Sequence, residues 1–225
     1  MRPGRRRGRR DRCVQARKLG LIEKIDWVAV NPAPMFPEAK NDYGFGYQYF
    51  STIMAWRKGA KEPHNIYDII PDSKNNVYFT DFRHQHIGRL DAKTGEVKLF
   101  EAPVRGSAPR RGMMDPKDRL WFGMYRGDRI GMFDTNTAQF NVWQLKTRWA
   151  SPYDVVLDKN EEAWTGSMLT DQVTRLNTKT DEMVDYLLPR TTNIRRVFVD
   201  NTTTPVTFWV GSNHGASVIK LEPLD

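Results

Sequence analysis

The sequence predicts an all-β propeller of four-stranded blades, about four of them legible, preceded by a partial strand region. Three observations predict it. A repeat of about forty-three residues runs through residues 63 to 225, a large ring recurs at one place in it, and turn residues separate short apolar-alternating runs. Tyr78, Trp121, Trp164 and Trp209 form the ring column, spaced 43, 43 and 45 residues apart. Ile87, Ile130, Val173 and Val218 keep that spacing, with the two extra residues assigned to the polar insert 201–207. Two acidic columns run in the same register: Asp72, Asp115, Asp158, Asp200 and Asp91, Asp134, Asn177, Glu222. Stacking of nucleic-acid bases is set aside as the use of these rings, because one bulky ring per blade at one strand position is what blade packing requires.

The N-terminus differs sharply in composition. Residues 1–18 hold nine Lys or Arg and one acid, and so carry the whole formal charge of +8, leaving the remainder neutral. A block of arginines with no apolar residues to bury predicts a disordered basic tail. An electrostatic arm for nucleic acid or acidic lipid is the other use of such a tail, but its composition is foreign to the rest of the chain, and nucleic acid is not an expected partner. Cys13 is the lone cysteine, which excludes an intrachain disulfide and a cysteine metal site. No apolar run approaches the ~20 residues of a membrane span, and no signal-peptide apolar segment comes after the arginines.

Residues 19–62 are expected to be partly strand, since Ile22, Ile25, Trp27 and Val30 form an apolar stretch and Tyr43, Phe45, Tyr47 and Tyr49 alternate. Blades are then expected at about 63–106, 107–149, 150–191 and 192–225. In each, the first strand is the run at Tyr67 to Ile70, Asp154 to Leu157 or Arg196 to Val199, and the Asp after it opens a turn. The second strand carries the ring column, and Ile87 to Leu90 and its equivalents make the third. Asp91-Ala92-Lys93-Thr94-Gly95 and its two counterparts make the next turn, of which only the first has a Gly. Val97 to Phe100, Phe140 to Leu145 and Met183 to Leu188 make the fourth strand. In the last repeat Leu221-Glu222-Pro223-Leu224-Asp225 leaves no room for a fourth strand. The N-terminal segment is the candidate to complete that blade or to be the remnant of a preceding one.

The phrases VYFTDF..HIGRLDAKTGEVKLFEAP and LWFGMYRGDRIGMFDTNT resemble the streptogramin (virginiamycin B) lyase family, over residues 63 to 222. The resemblance implies a seven-bladed ring, so the legible blades are incomplete relative to it, and the chain is expected to be a fragment, a self-associating remnant or a smaller ring. It also implies a periplasmic or secreted, magnesium-dependent carbon–oxygen lyase that opens cyclic depsipeptide antibiotics by elimination, a reaction of antibiotic resistance. The family's reacting groups would fall on Glu62 and His64, in Glu62-Pro63-His64, and on Asp81, where the family has a Glu. A base would take the α-proton and a metal would hold the carbonyl.

Other candidates come from the residues themselves. His84 and His86, two apart, are weak metal candidates with Asp81, the alternative being a solvated turn; His214 lies in the equivalent turn. Arg110, Arg111, Arg195 and Arg196 enter their blades near the first strand, where propellers line the channel mouth, and are candidates for binding an anionic ligand. Two functions therefore stand: the lyase, or a non-catalytic propeller presenting a binding surface for a small molecule or peptide at its channel mouth, within a larger exported protein.

Overall fold

The computed structural model describes Lys24, Asp26, Val28, Lys40–Asn41, Gly44–Phe45 and residues 66–213, 215 and 217–224. The basic tail, Cys13, most of the apolar N-terminal stretch, Glu62, His64 and His214 lie outside the described residues. The chain divides into two units, Met1–Arg57 and Lys58–Asp225. In the first, β1 (Lys40–Asn41) pairs antiparallel with β2 (Gly44–Phe45).

The second unit is a run of antiparallel sheets, each built from consecutive strands. β3 (Ile66–Pro71), β4 (Val77–Asp81), β5 (His86–Leu90) and β6 (Val97–Glu101) form the first blade in chain order. β7 (Pro109–Met114), β8 (Arg119–Met124), β9 (Arg129–Asp134) and β10 (Gln139–Gln144) form the second. β11 (Pro152–Leu157), β12 (Ala163–Ser167), β13 (Gln172–Leu176) and β14 (Met183–Leu187) form the third. β15 (Ile194–Asp200), β16 (Thr207–Ser212) and β17 (Ser217–Leu221) form a fourth sheet of three strands. The first strand of each blade contacts the first strand of the next, so these are the inner strands of a propeller.

The ring column packs one sheet on another. Tyr78 is buried with Leu120, Phe122 and Phe133 of the second blade, Trp121 with Ala150, Val155 and Ala163 of the third, and Trp164 with Ile194, Val199 and Phe208 of the fourth. Trp164 stacks on Phe208 at 5.1 Å between centroids. Trp209 is only half-buried, and on its blade Phe198 and Val218 are largely exposed. The opposite face of each second strand is matched in volume to the third strand beside it. Phe79 lies over Gly88 and Phe122 over Gly131, whereas the equivalent pairs are Thr165 with Thr174 and Val210 with Ile219.

The first acidic column explains how the rings are held. Asp115 Oδ2 accepts the indole N–H of Trp121 at 3.0 Å, and Asp158 Oδ2 that of Trp164 at 3.0 Å. The other oxygen caps the turn: Asp115 Oδ1 accepts from the amides of Lys117 and Arg119, and Asp158 Oδ1 from those of Asn160 and Glu162. Where the ring is Tyr78, which has no indole, Asp72 Oδ2 instead accepts from Asn76 Nδ2 at 2.8 Å. One carboxylate thus ties a turn to the interblade wedge. The second acidic column makes Asx turns, with Asp91, Asp134 and Asn177 accepting from amides two and three residues on. Those turns close on a positive φ at Gly95, Ala138 and Asp181, so the left-handed conformation persists where the glycine does not.

Truncating Trp121 or Trp164 to Ala is expected to cost about 3–5 kcal/mol. Trp209→Ala, at a half-buried position, should cost clearly less. Urea denaturation of the three variants checks this, and equal losses would contradict the wedge.

Candidate functional site

Antiparallel pairing brings the start of each first strand beside the end of its second, as in Ile66 with Asp81, Pro109 with Met124, Pro152 with Ser167 and Ile194 with Ser212. At that same place every first strand carries a bulge, a device that turns side chains away from the regular alternation. The residues at the bulges are Tyr67-Asp68, Arg110-Arg111, Tyr153-Asp154 and Arg195-Arg196. Glycines on two second strands let the next blade's inner strand come close. A methyl on Gly123 would lie 2.6 Å from the carbonyl oxygen of Pro152, and one on Gly166 would lie 2.2 Å from Ile194.

Arg110 sits in a box of four rings. Its guanidinium carbon lies 3.8 Å from the ring centroid of Tyr125, 4.3 Å from those of Phe82 and Tyr153, and 5.0 Å from that of Tyr67. The rings also touch one another around the whole circuit: Tyr67 with Phe82, Phe82 with Tyr125, Tyr125 with Tyr153, and Tyr153 with Tyr67. The Tyr67 and Tyr153 hydroxyls are hydrogen-bonded to each other. Three blades contribute to this one box, and each cation–π contact is favourable because the ring face is the negative end of its quadrupole.

The charges beside the box alternate from blade to blade. Arg111 Nη1 is 3.8 Å from Asp68 Oδ1, and Arg196 Nη1 donates to Asp154 Oδ2 at 3.3 Å. Arg195 donates from Nε to Asn193 Oδ1 at 3.0 Å, and Asn193 in turn donates from Nδ2 to the carbonyl of Met168. Burial pushes the Asp154 carboxyl up to about 6, outweighing the pull of Arg196, which is itself exposed. At the bulges themselves, four guanidinium groups thus stand beside two carboxylates.

Asp81 is buried, and its oxygens are engaged locally. Oδ1 accepts from the amides of Arg83 and His84, and Oδ2 meets Nδ1 of His84 at 2.9 Å. Ser167 Oγ, the equivalent atom two blades on, accepts from the amides of Leu169 and Thr170, and Ser212 Oγ accepts from that of Gly215. The position is a turn cap in all three blades, for which Ser serves as well as Asp. Three hydrogen-bond contacts thus occupy the Asp81 carboxylate within its own turn. His84 lies in that turn and His86 begins β5, their ring centroids 6.1 Å apart. Among the described residues, no three His, Cys, Asp or Glu side chains converge as a metal site.

Of the four arginines predicted from sequence, the structure puts Arg110 in the box, Arg111 and Arg196 in ion pairs and Arg195 at the exposed rim. Sequence reasoning missed Tyr67, Asp68, Phe82, Tyr125, Tyr153 and Asp154. A signal existed, because Tyr-Asp, Arg-Arg, Tyr-Asp and Arg-Arg recur every 43, 43 and 42 residues at one place in the repeat.

Asp154→Asn tests the cost of this burial. With a folded pKa above the unfolded one, Asp154 favours folding most below about pH 4, and that contribution is lost as the pH rises through about 6. The stability of the variant relative to the parent should therefore rise by about 2 kcal/mol between about pH 4 and pH 7, read by urea denaturation. A difference that stays flat with pH would contradict it.

The sequence matches the virginiamycin B lyase family over residues 57–223. No curated protein matches it. Among solved structures, a streptogramin B lyase is similar at 20% identity and a TM-score of 0.59, over 71% of this chain and 55% of that one. A catalytically inactive virginiamycin B lyase from Staphylococcus aureus, solved with quinupristin, is similar at 16% identity and a TM-score of 0.57, over 69% and 54%. Hydrazine synthase from Kuenenia stuttgartiensis is similar at 12% identity and a TM-score of 0.59, over 78% and 49%. The chain thus spans about half the length of these structures. The likeness to them is one of fold, and the match along residues 57–223 establishes that the chain belongs to the virginiamycin B lyase family.

Proposed function

We propose that the chain is a propeller binding module that takes a small molecule or peptide at the mouth formed by its bulged inner strands. The observation that carries this reading is the box and belt. Rings, hydroxyls, guanidinium groups and carboxylates from successive blades converge at one end, a mixture of apolar and hydrogen-bonding surface suited to holding a ligand. Asp81 supports it from the other side, since the residue at the family's reacting position is spent on a turn. A scaffold shared with hydrazine synthase as well as with streptogramin lyases does not by itself carry one chemistry.

A second reading is favoured by membership of the family: magnesium-dependent linearisation of streptogramin B antibiotics, with Glu62 and His64 as the groups left to act. Incubating the protein with quinupristin and magnesium, and following the cyclic peptide by chromatography, separates the two. The module reading expects the peptide to be recovered intact. Linearisation that needs magnesium and is lost in His64→Ala would establish the enzyme. For the module itself, a thermal-shift screen of small acids, phosphates and tripeptides is expected to yield a stabilising ligand. Its effect should disappear in Tyr67→Ala and Tyr153→Ala, and a ligand indifferent to both changes would place binding elsewhere.

A further inference from the structure

Of the guanidinium groups at the mouth, Arg110 differs in having rings where the others have hydrogen-bond acceptors. Arg111 faces Asp68, Arg196 faces Asp154, and Arg195 has the side-chain oxygen of Asn193. Arg110 has four ring faces around it, and the one acceptor its N–H groups meet among the described residues is Met168 Sδ, 4.0 Å from Nη1. Its Nε is buried without a partner. A guanidinium carries five N–H donors in one plane, and π faces compensate its charge without accepting those hydrogens as an oxygen does. A buried donor left unpaired is costly, and native proteins rarely keep one unless a ligand, ion or water pairs with it.

Resting on the module reading above, we infer that Arg110 is the anchor for an oxyanion group of the ligand, a carboxylate or a phosphate. The box holds the guanidinium in place by its rings, which leaves its Nη N–H groups for an incoming acceptor and removes the ordering cost that a free arginine would bear. The surroundings agree in sign. Arg111, Arg195 and Arg196 flank the site, Asp68 and Asp154 are each already paired to an arginine, and the hydrogen-bonded hydroxyl pair of Tyr67 and Tyr153 stands at the box with one O–H left to donate. At the bulges an anion meets four guanidinium groups, and the two carboxylates beside them are already paired. A cationic ligand would have to displace Arg110 from all four rings.

The test uses acetate and inorganic phosphate as probes, with chloride at equal ionic strength as the control. Thermal shift and isothermal titration are run on the whole chain and on Arg110→Lys, Arg110→Gln and, as a control at the opposite end of the blades, Lys117→Ala, whose side chain pairs with Glu161. Arg110→Lys keeps the charge and loses the planar edge, and its fold is verified by far-ultraviolet circular dichroism. One or both probes should bind the parent and bind Arg110→Lys and Arg110→Gln roughly tenfold more weakly, with Lys117→Ala close to the parent. Preference for acetate would identify a carboxylate ligand, and preference for phosphate a phosphorylated one. If Arg110→Lys binds as the parent does, or Lys117→Ala loses binding as the Arg110 variants do, or neither probe binds the parent better than chloride, the assignment is overturned. A screened ligand that still depends on Tyr67 and Tyr153 while ignoring Arg110 would overturn it too, and would leave the module reading standing.

Discussion

Everything in the propeller hangs on how one sheet is wedged against the next. Tyr78, Trp121 and Trp164 are each buried against the following blade, and for the two indoles an aspartate holds the ring to the turn that leads into its own strand. One carboxylate satisfies two turn amides and one indole N–H that would otherwise be buried unpaired. With that unit repeated, the inner strands lie side by side, and whatever they carry at equivalent positions must converge at the mouth. The site is therefore a by-product of the packing rule.

The bulges turn that convergence into chemistry. An inner strand in regular alternation would direct successive residues to opposite faces, whereas the extra residue presents Arg110-Arg111 or Tyr153-Asp154 together at the end of the sheet. Gly123 on the second strand allows the neighbouring inner strand to approach, which brings Tyr153 of one blade against Arg110 of another. The blade-to-blade alternation of Tyr-Asp with Arg-Arg then does two things. It neutralises two of the guanidiniums by ion pairs, and it closes the rings of three blades around a third.

The position at which the resemblance implies a reacting Glu has a local role in this chain. Asp81 stands where the motif places a Glu, and read in isolation it is a candidate base. In the structure it caps the turn after its strand, as Ser167 and Ser212 do in later blades. The chemistry shared by Asp and Ser, an oxygen accepting from backbone amides, is structural. Membership of the virginiamycin B lyase family concerns the scaffold, which is held by the wedge and its Asp.

The blades themselves were legible in the order of residues. Periodicity of Trp and Asp set which segments are strands and which are turns, because those preferences are local or depend on a neighbour one repeat away. The turns could be read even where Ala138 and Asp181 replace glycine, since Asp134 and Asn177 mark them by side-chain hydrogen bonds. The same periodicity marked Arg110, Arg111, Arg195 and Arg196 as residues of the mouth, without distinguishing them. Folding in three dimensions was needed to enclose Arg110 in rings, to pair Arg111 and Arg196, and to make Asp81 a cap. A column in a repeat records that residues occupy equivalent places. Which of them touch depends on bulge direction and on the approach of inner strands from different blades, and those are set by packing between sheets.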